Sequence, residues 1–152
     1  MDMISKYADK LPGAGDPGVF DDLIKETEQT EKLSGNGTVK DNVGENADMI
    51  HERSGQLLGL MKKTNRMSYF VKDNEEVTGA VEKGNWLIGE INKILKKIAN
   101  INCITKFCTL AKLLRKIEEL KDELEEYIEK IKGFAKMITE KVKWIFNKIN
   151  QK

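Results

Sequence analysis

Residues 113–149, LLRKIEELKDELEEYIEKIKGFAKMITEKVKWIFNKI, decide the fold. Leu113, Ile117, Leu120, Leu124, Tyr127, Ile131, Phe134 and Ile138 recur at alternating steps of four and three residues. That spacing keeps one face of a helix apolar and corresponds to the a and d positions of a heptad. The step from Ile138 to Val142 is four after four, a stutter that locally relaxes a supercoil. Ile145 and Ile149 complete the stripe. Leu114, Ile128 and Ala135 occupy e positions and widen it beyond a two-stranded seam, so a multi-helix bundle is expected rather than an isolated coiled-coil dimer.

Upstream, Leu87, Ile91, Ile94, Ile98 and Ile101 show the same alternation. Asp73-Asn74-Glu75-Glu76 reads as a fresh helix start, because Asp followed three residues later by Glu is a capping-box variant. An unbroken helix from 74 to 152 would be about 115 Å long and would need a partner along its length. The alternative is a break at 100–104, where Lys96 and Lys97 suit a helix C-terminus and Asn100 and Asn102 suit a left-handed cap. Folding back there brings the acidic residues 118–129 beside Glu75, Glu76 and Glu82, a modest repulsion that argues against a tight hairpin. Ala47–Val71 is expected as a first substantial helix, with Gly55 and Gly59 allowing close helix packing.

The expected fold is therefore all-α: long amphipathic helices in a coiled-coil-like bundle over residues 47–152, with breaks near 72–74 and 100–104. Residues 1–46 are different material, with six glycines among Asp, Asn, Glu and Thr. Met3, Ile4, Tyr7, Ala8 and Leu11 form a short helical pattern ended by Pro12-Gly13. Val19, Phe20, Leu23 and Ile24 form a second, with Asp16 as its expected N-cap and Pro17 at the first helical position. Residues 34–38, SGNGT, read as a loop. So little apolar surface predicts an extended polar arm held by a partner surface rather than by its own core.

The chain has 152 residues, 34% of them charged, and a mean hydropathy of −0.50. Its net charge of +1 conceals an asymmetry. Residues 1–50 carry eleven acids and five lysines (−6), and residues 51–152 carry 21 bases and 14 acids (+7). Oppositely charged halves are expected to meet each other or neighbouring copies, and a general nucleic-acid binder would be basic overall. Seven acids lie in 118–129 and seven lysines in 130–152. A parallel in-register pair would stack the acids on themselves, whereas an antiparallel or staggered pair sets them against lysines.

No catalytic, cofactor-binding or metal-ligating residues are assigned. The single histidine, His51, has no Cys or Ser at a catalytic spacing. Cys103 and Cys108 stand about 140° apart on a helix and cannot bridge within it, so buried free thiols are expected. Residues 79–85 lack the Lys-Ser/Thr ending of a phosphate loop, and Asn36-Gly37-Thr38 matches a glycosylation sequon by chance. The start has no signal-peptide core and no run is long and apolar enough for a conventional membrane span, which suggests a cytoplasmic or particle-associated protein.

Two faces are candidates for partner contact. The first is the stripe itself: Leu113, Ile117, Leu120, Leu124, Tyr127, Ile131, Phe134, Ile138 and Ile145. The second is a narrower line, Gly133, Met137 and Trp144, which falls well away from Ile131 among lysines. These features point to a non-enzymatic structural protein, a helical subunit of a larger particle such as a virion or a secretion or injection machine, with self-association or other protein partners. An alternative is a membrane-active protein, since residues 86–108 and 133–152 are cationic, amphipathic and aromatic-bearing. A small helical adaptor or inhibitor of one protein target is a weaker third reading.

Overall fold

A computed structural model of the protein describes residues 17–101 and 107–151. All regular elements among the described residues are helical: α1 (Asp21–Ser34), α2 (Gly37–Val43), α3 (Glu45–Thr64), a 3-10 segment (Met67–Val71), α4 (Glu75–Ala99) and α5 (Phe107–Asn150). Helix α1 packs on α3 and α4, and α5 packs on the same two, so α1–α5 and α3–α4 are the diagonals of a four-helix bundle. Cross-links fix the directions. Helix α1 is antiparallel to α3 (Glu28 pairs with Lys62, and the Glu31 carbonyl meets His51) and parallel to α4. Helix α5 is antiparallel to α4 and parallel to α3. The chain thus runs up, down, up, down. The short α2 crosses one pole, and the 3-10 segment crosses the other along the α3–α4 diagonal, against α5.

The bundle of amphipathic helices is as the stripe predicts, and α4 and α5 fold back on each other. The like charges that argued against a hairpin do not meet inside it. Glu75, Glu76 and Glu82 on α4 and Glu118, Glu119, Asp122 and Glu123 on α5 all face solvent. Repulsion through water and salt is small beside the burial of Leu87, Ile91, Leu95, Leu120, Leu124 and Ile131. Residues 102–106, including Cys103, lie outside the described residues, and so does the expected helix at Met3–Leu11. Helix α4 ends at Asn100, which caps it with φ −99° rather than in the expected left-handed conformation.

The N-terminal third departs most from expectation. Residues 17–46 do not hang off the bundle as a polar arm: α1 is one of its four walls. Phe20 and Leu23 are buried, as are Thr27, Thr30 and Ser34. Each hydroxyl on that face returns a hydrogen bond to its own helix, Thr27 to the Leu23 carbonyl (2.7 Å), Thr30 to Glu26 (3.1 Å) and Ser34 to Glu31 (2.9 Å). The polar atoms are satisfied locally, and the methylenes and methyls face the core. Thr30 also meets Asn92 Oδ1 of α4 at 2.6 Å, while Asn92 Nδ2 donates to the Glu26 carbonyl, so a polar layer ties α1 to α4.

The helix ends differ in detail. Helix α1 begins at Asp21 and not at Pro17. The Phe20 N–H donates to Asn65 Oδ1 (2.8 Å) and the Val19 N–H to Ser68 Oγ (2.9 Å), while Asn65 Nδ2 donates to Asp21. Those two side chains belong to the turn that interrupts the helix expected over Ala47–Val71. Helix α3 stops at Thr64, and the chain tightens into the 3-10 segment. The N-cap of α4 is Asn74, not Asp73: its Oδ1 accepts from Glu76 and Val77 N–H. In the expected loop at 34–38, Asn36 caps α2 in the same way, which gives the sequon a structural role.

Candidate functional site

Helix α5 has 44 residues against 25 in α4 and 20 in α3. At 1.5 Å per residue it is about 66 Å long, against about 37 and 30 Å. The Tyr127–Ala80 hydrogen bond aligns α4 with the N-terminal half of α5. A groove lined by Leu60, Lys63, Ala135, Thr139 and Lys143 marks where α3 runs out beside α5. Beyond that groove α5 runs on past the end of α3, with Phe146 still packed against the core and Trp144 on its exposed side.

The main stripe is spent within the chain. Ile117, Leu120, Leu124, Tyr127, Ile131, Phe134 and Ile138 are buried in the core shared with α1, α3 and α4, Leu113 is half-buried against it, and Ile145 is half-buried near the end of α5. This corrects its assignment as a partner interface: the surfaces that cover it are helices of the same chain. Tyr127 is the most specific member. Its hydroxyl donates to the Ala80 carbonyl at 2.8 Å, and burial pushes its ionisation above the ordinary tyrosine value. Gly84, one turn along α4, leaves the room: a Cβ there would lie 2.2 Å from the hydroxyl oxygen.

The second line divides. Trp144 is 62% exposed, and Ile149, about 140° around the helix from it, 48%. Gly133 is exposed, with no atom within 4 Å of where a Cβ would stand. Met137 is half-buried against the core. The Lys148 ammonium lies 5.5 Å from the centre of the Trp144 ring. Trp86 on α4 is likewise exposed, at 53%.

Sequence reading missed the contacts that Arg53 and His51 make. The Arg53 guanidinium on α3 donates to the Lys121 carbonyl (3.2 Å) and pairs with Glu125 (3.0 Å), clamping α3 to α5. His51 Nδ1 lies 2.9 Å from the Glu31 carbonyl and 3.2 Å from Ser34 Oγ, at the C-terminal end of α1. An open groove beside it, between α1 and α3, is crossed by the Glu28–Lys62 ion pair. No spacing rule finds such pairs across helices, because the partners are 17 to 72 residues apart. Among the described residues no cluster of His, Cys, Asp and Glu could hold a metal ion, and no helix is long and apolar enough to cross a membrane. No family model, curated protein or solved structure matches the chain.

Proposed function

We propose that the protein is a non-enzymatic assembly protein, a helical subunit of a larger particle of the virion, secretion or injection type. The observation that carries this reading is Trp144. It stands largely exposed near the C-terminal end of α5, on a different face from the main apolar stripe, which is used inside the chain. An indole in that position exposes costly apolar area, and aromatic residues of this kind serve as anchors at protein interfaces.

The test is light scattering and native mass of the purified protein, followed by Trp144 fluorescence in a Trp86→Phe background. Assembly shifts the emission to the blue, and Trp144→Ala weakens the assembled state. The membrane-active reading draws support from the same turn, where Lys148 flanks the indole as in helices that lie on anionic bilayers. It requires instead a blue shift only when anionic vesicles are added, and co-sedimentation that Trp144→Ala reduces.

A further inference from the structure

We propose that a second copy of this chain docks on the outer face of α5, as an antiparallel α5–α5 pair centred beside Gly133. This rests on the assembly reading and names the partner and its orientation. Steps of three and four residues from Glu119 to Lys148 trace one line along α5, roughly 80–160° around the helix from Ile131. Its N-terminal half carries Glu119, Glu123 and Glu126, and its C-terminal half carries Lys141 and Lys148 on either side of Trp144. All of these are exposed. Glu123, Glu126 and Lys141 have no ion pair among the described residues, whereas Arg53–Glu125 and Lys132–Glu129 show that neighbouring charges are satisfied within the chain.

Such a line is self-complementary in one direction only. A parallel pair would place the glutamates of one copy against those of the other. Around a twofold axis between residues 133 and 134, Glu126 meets Lys141 of the second copy, Glu123 lies against Trp144, and Glu119, which pairs loosely with Lys116 at 3.9 Å in the single chain, comes opposite Lys148. The half-buried Met137 then falls under the methylene stem of the second copy's Lys130. At the crossing point stands Gly133, whose missing side chain lets the helix axes approach closely. Each charge pair alone is weak at a surface, but together they select the antiparallel orientation, and Trp144 supplies apolar burial. The contact is isologous and closes at two copies, leaving other faces free for a larger particle.

Sedimentation velocity of the full chain over a wide concentration range tests this. The wild type should dimerise, and rising salt should weaken the dimer. The double variants Glu123→Lys/Glu126→Lys and Lys141→Glu/Lys148→Glu should each lose at least about tenfold in self-affinity while keeping wild-type circular dichroism. An equimolar mixture of the two should dimerise again, because the reversed charges meet. In a Cys103→Ser/Cys108→Ser background, Glu126→Cys should cross-link to Lys141→Cys and not to itself. Double variants that dimerise as the wild type does overturn this face while the assembly reading stands. A chain that is monomeric alone but found in a particle with another protein overturns the second copy, and the assembly reading again stands. A monomer that binds anionic vesicles through Lys141 and Lys148 overturns both.

Discussion

The Tyr127 hydroxyl on α5 fills the space that a side chain at position 84 of α4 would need, and it donates to the Ala80 carbonyl one turn away. The glycine and the tyrosine are one device: the ring enters α4 where the helix lacks a Cβ, and its polar end is satisfied by a backbone carbonyl. Gly84→Ala should therefore be far more harmful than the ordinary gain in helix propensity suggests. Its Cβ would meet the Tyr127 ring at 2.6 Å and Leu23 Cδ2 at 2.7 Å, so a loss of about 1–3 kcal/mol is expected. Urea unfolding measures it. Adding Tyr127→Phe, which removes the closest atom, should recover part of the loss, and strict additivity of the two changes would break the link.

The same tyrosine makes stability fall at alkaline pH. Burial raises the Tyr127 pKa in the folded chain, while in the unfolded chain it titrates near its ordinary value of about 10. Below that pH both states hold the proton and stability does not change through this group. Above it the unfolded state loses the proton first, and stability drops by up to about 1.4 kcal/mol per pH unit. Comparing urea midpoints of wild type and Tyr127→Phe between neutral and strongly alkaline pH isolates the effect. The variant should start lower, having lost the hydrogen bond to the Ala80 carbonyl, and decline less steeply.

Asn65 and Ser68 hold the start of α1 from another helix's end. Asn65→Ala should leave the Phe20 N–H without its partner in a buried setting, at a cost of about 1–3 kcal/mol. Limited proteolysis should then cut first near residues 17–22. Unchanged cleavage and an unchanged melting temperature would show that the turn does not secure α1.

Leu124→Asp should disrupt the bundle by several kcal/mol, since the position is fully buried and an unpaired carboxylate there has no partner. Its neighbour Glu125 is largely exposed and pairs with Arg53 at 3.0 Å. Glu125→Ala should cost at most about 1 kcal/mol. Equal losses in thermal melts would mean that the helix is turned differently from the orientation described.

What could be read from the sequence follows from how each helix fills its core face. Helix α5 does so with Leu, Ile and aromatic residues at regular spacing, so its buried side is visible as a pattern. Helix α1 uses Thr27, Thr30 and Ser34, which count as polar in any hydropathy reading yet are buried by bonding to their own backbone. Hydropathy therefore understates the core at its N-terminal end and makes the whole segment look like an arm. Asn92 hides in the same way, as a polar residue whose partners lie 62 and 66 positions away. The exposed indole was legible, because Trp144 stands off the stripe by simple helical arithmetic, whereas the pairing of Gly84 with Tyr127 needs the crossing of two helices to exist first.

The up-down-up-down course sets Pro17 and the C-terminal end of α5 at one pole, near Asn65, while Gly35 and Asn36 turn at the other. A fluorescent protein or affinity handle joined at the C-terminal end of α5 would thus crowd the very end that carries Trp144. A short epitope inserted between Gly35 and Asn36 would point away from it. On the proposed assembly reading, a label at the first position would hinder self-association and one at the second would not, so the pair tests whether that pole makes the contact.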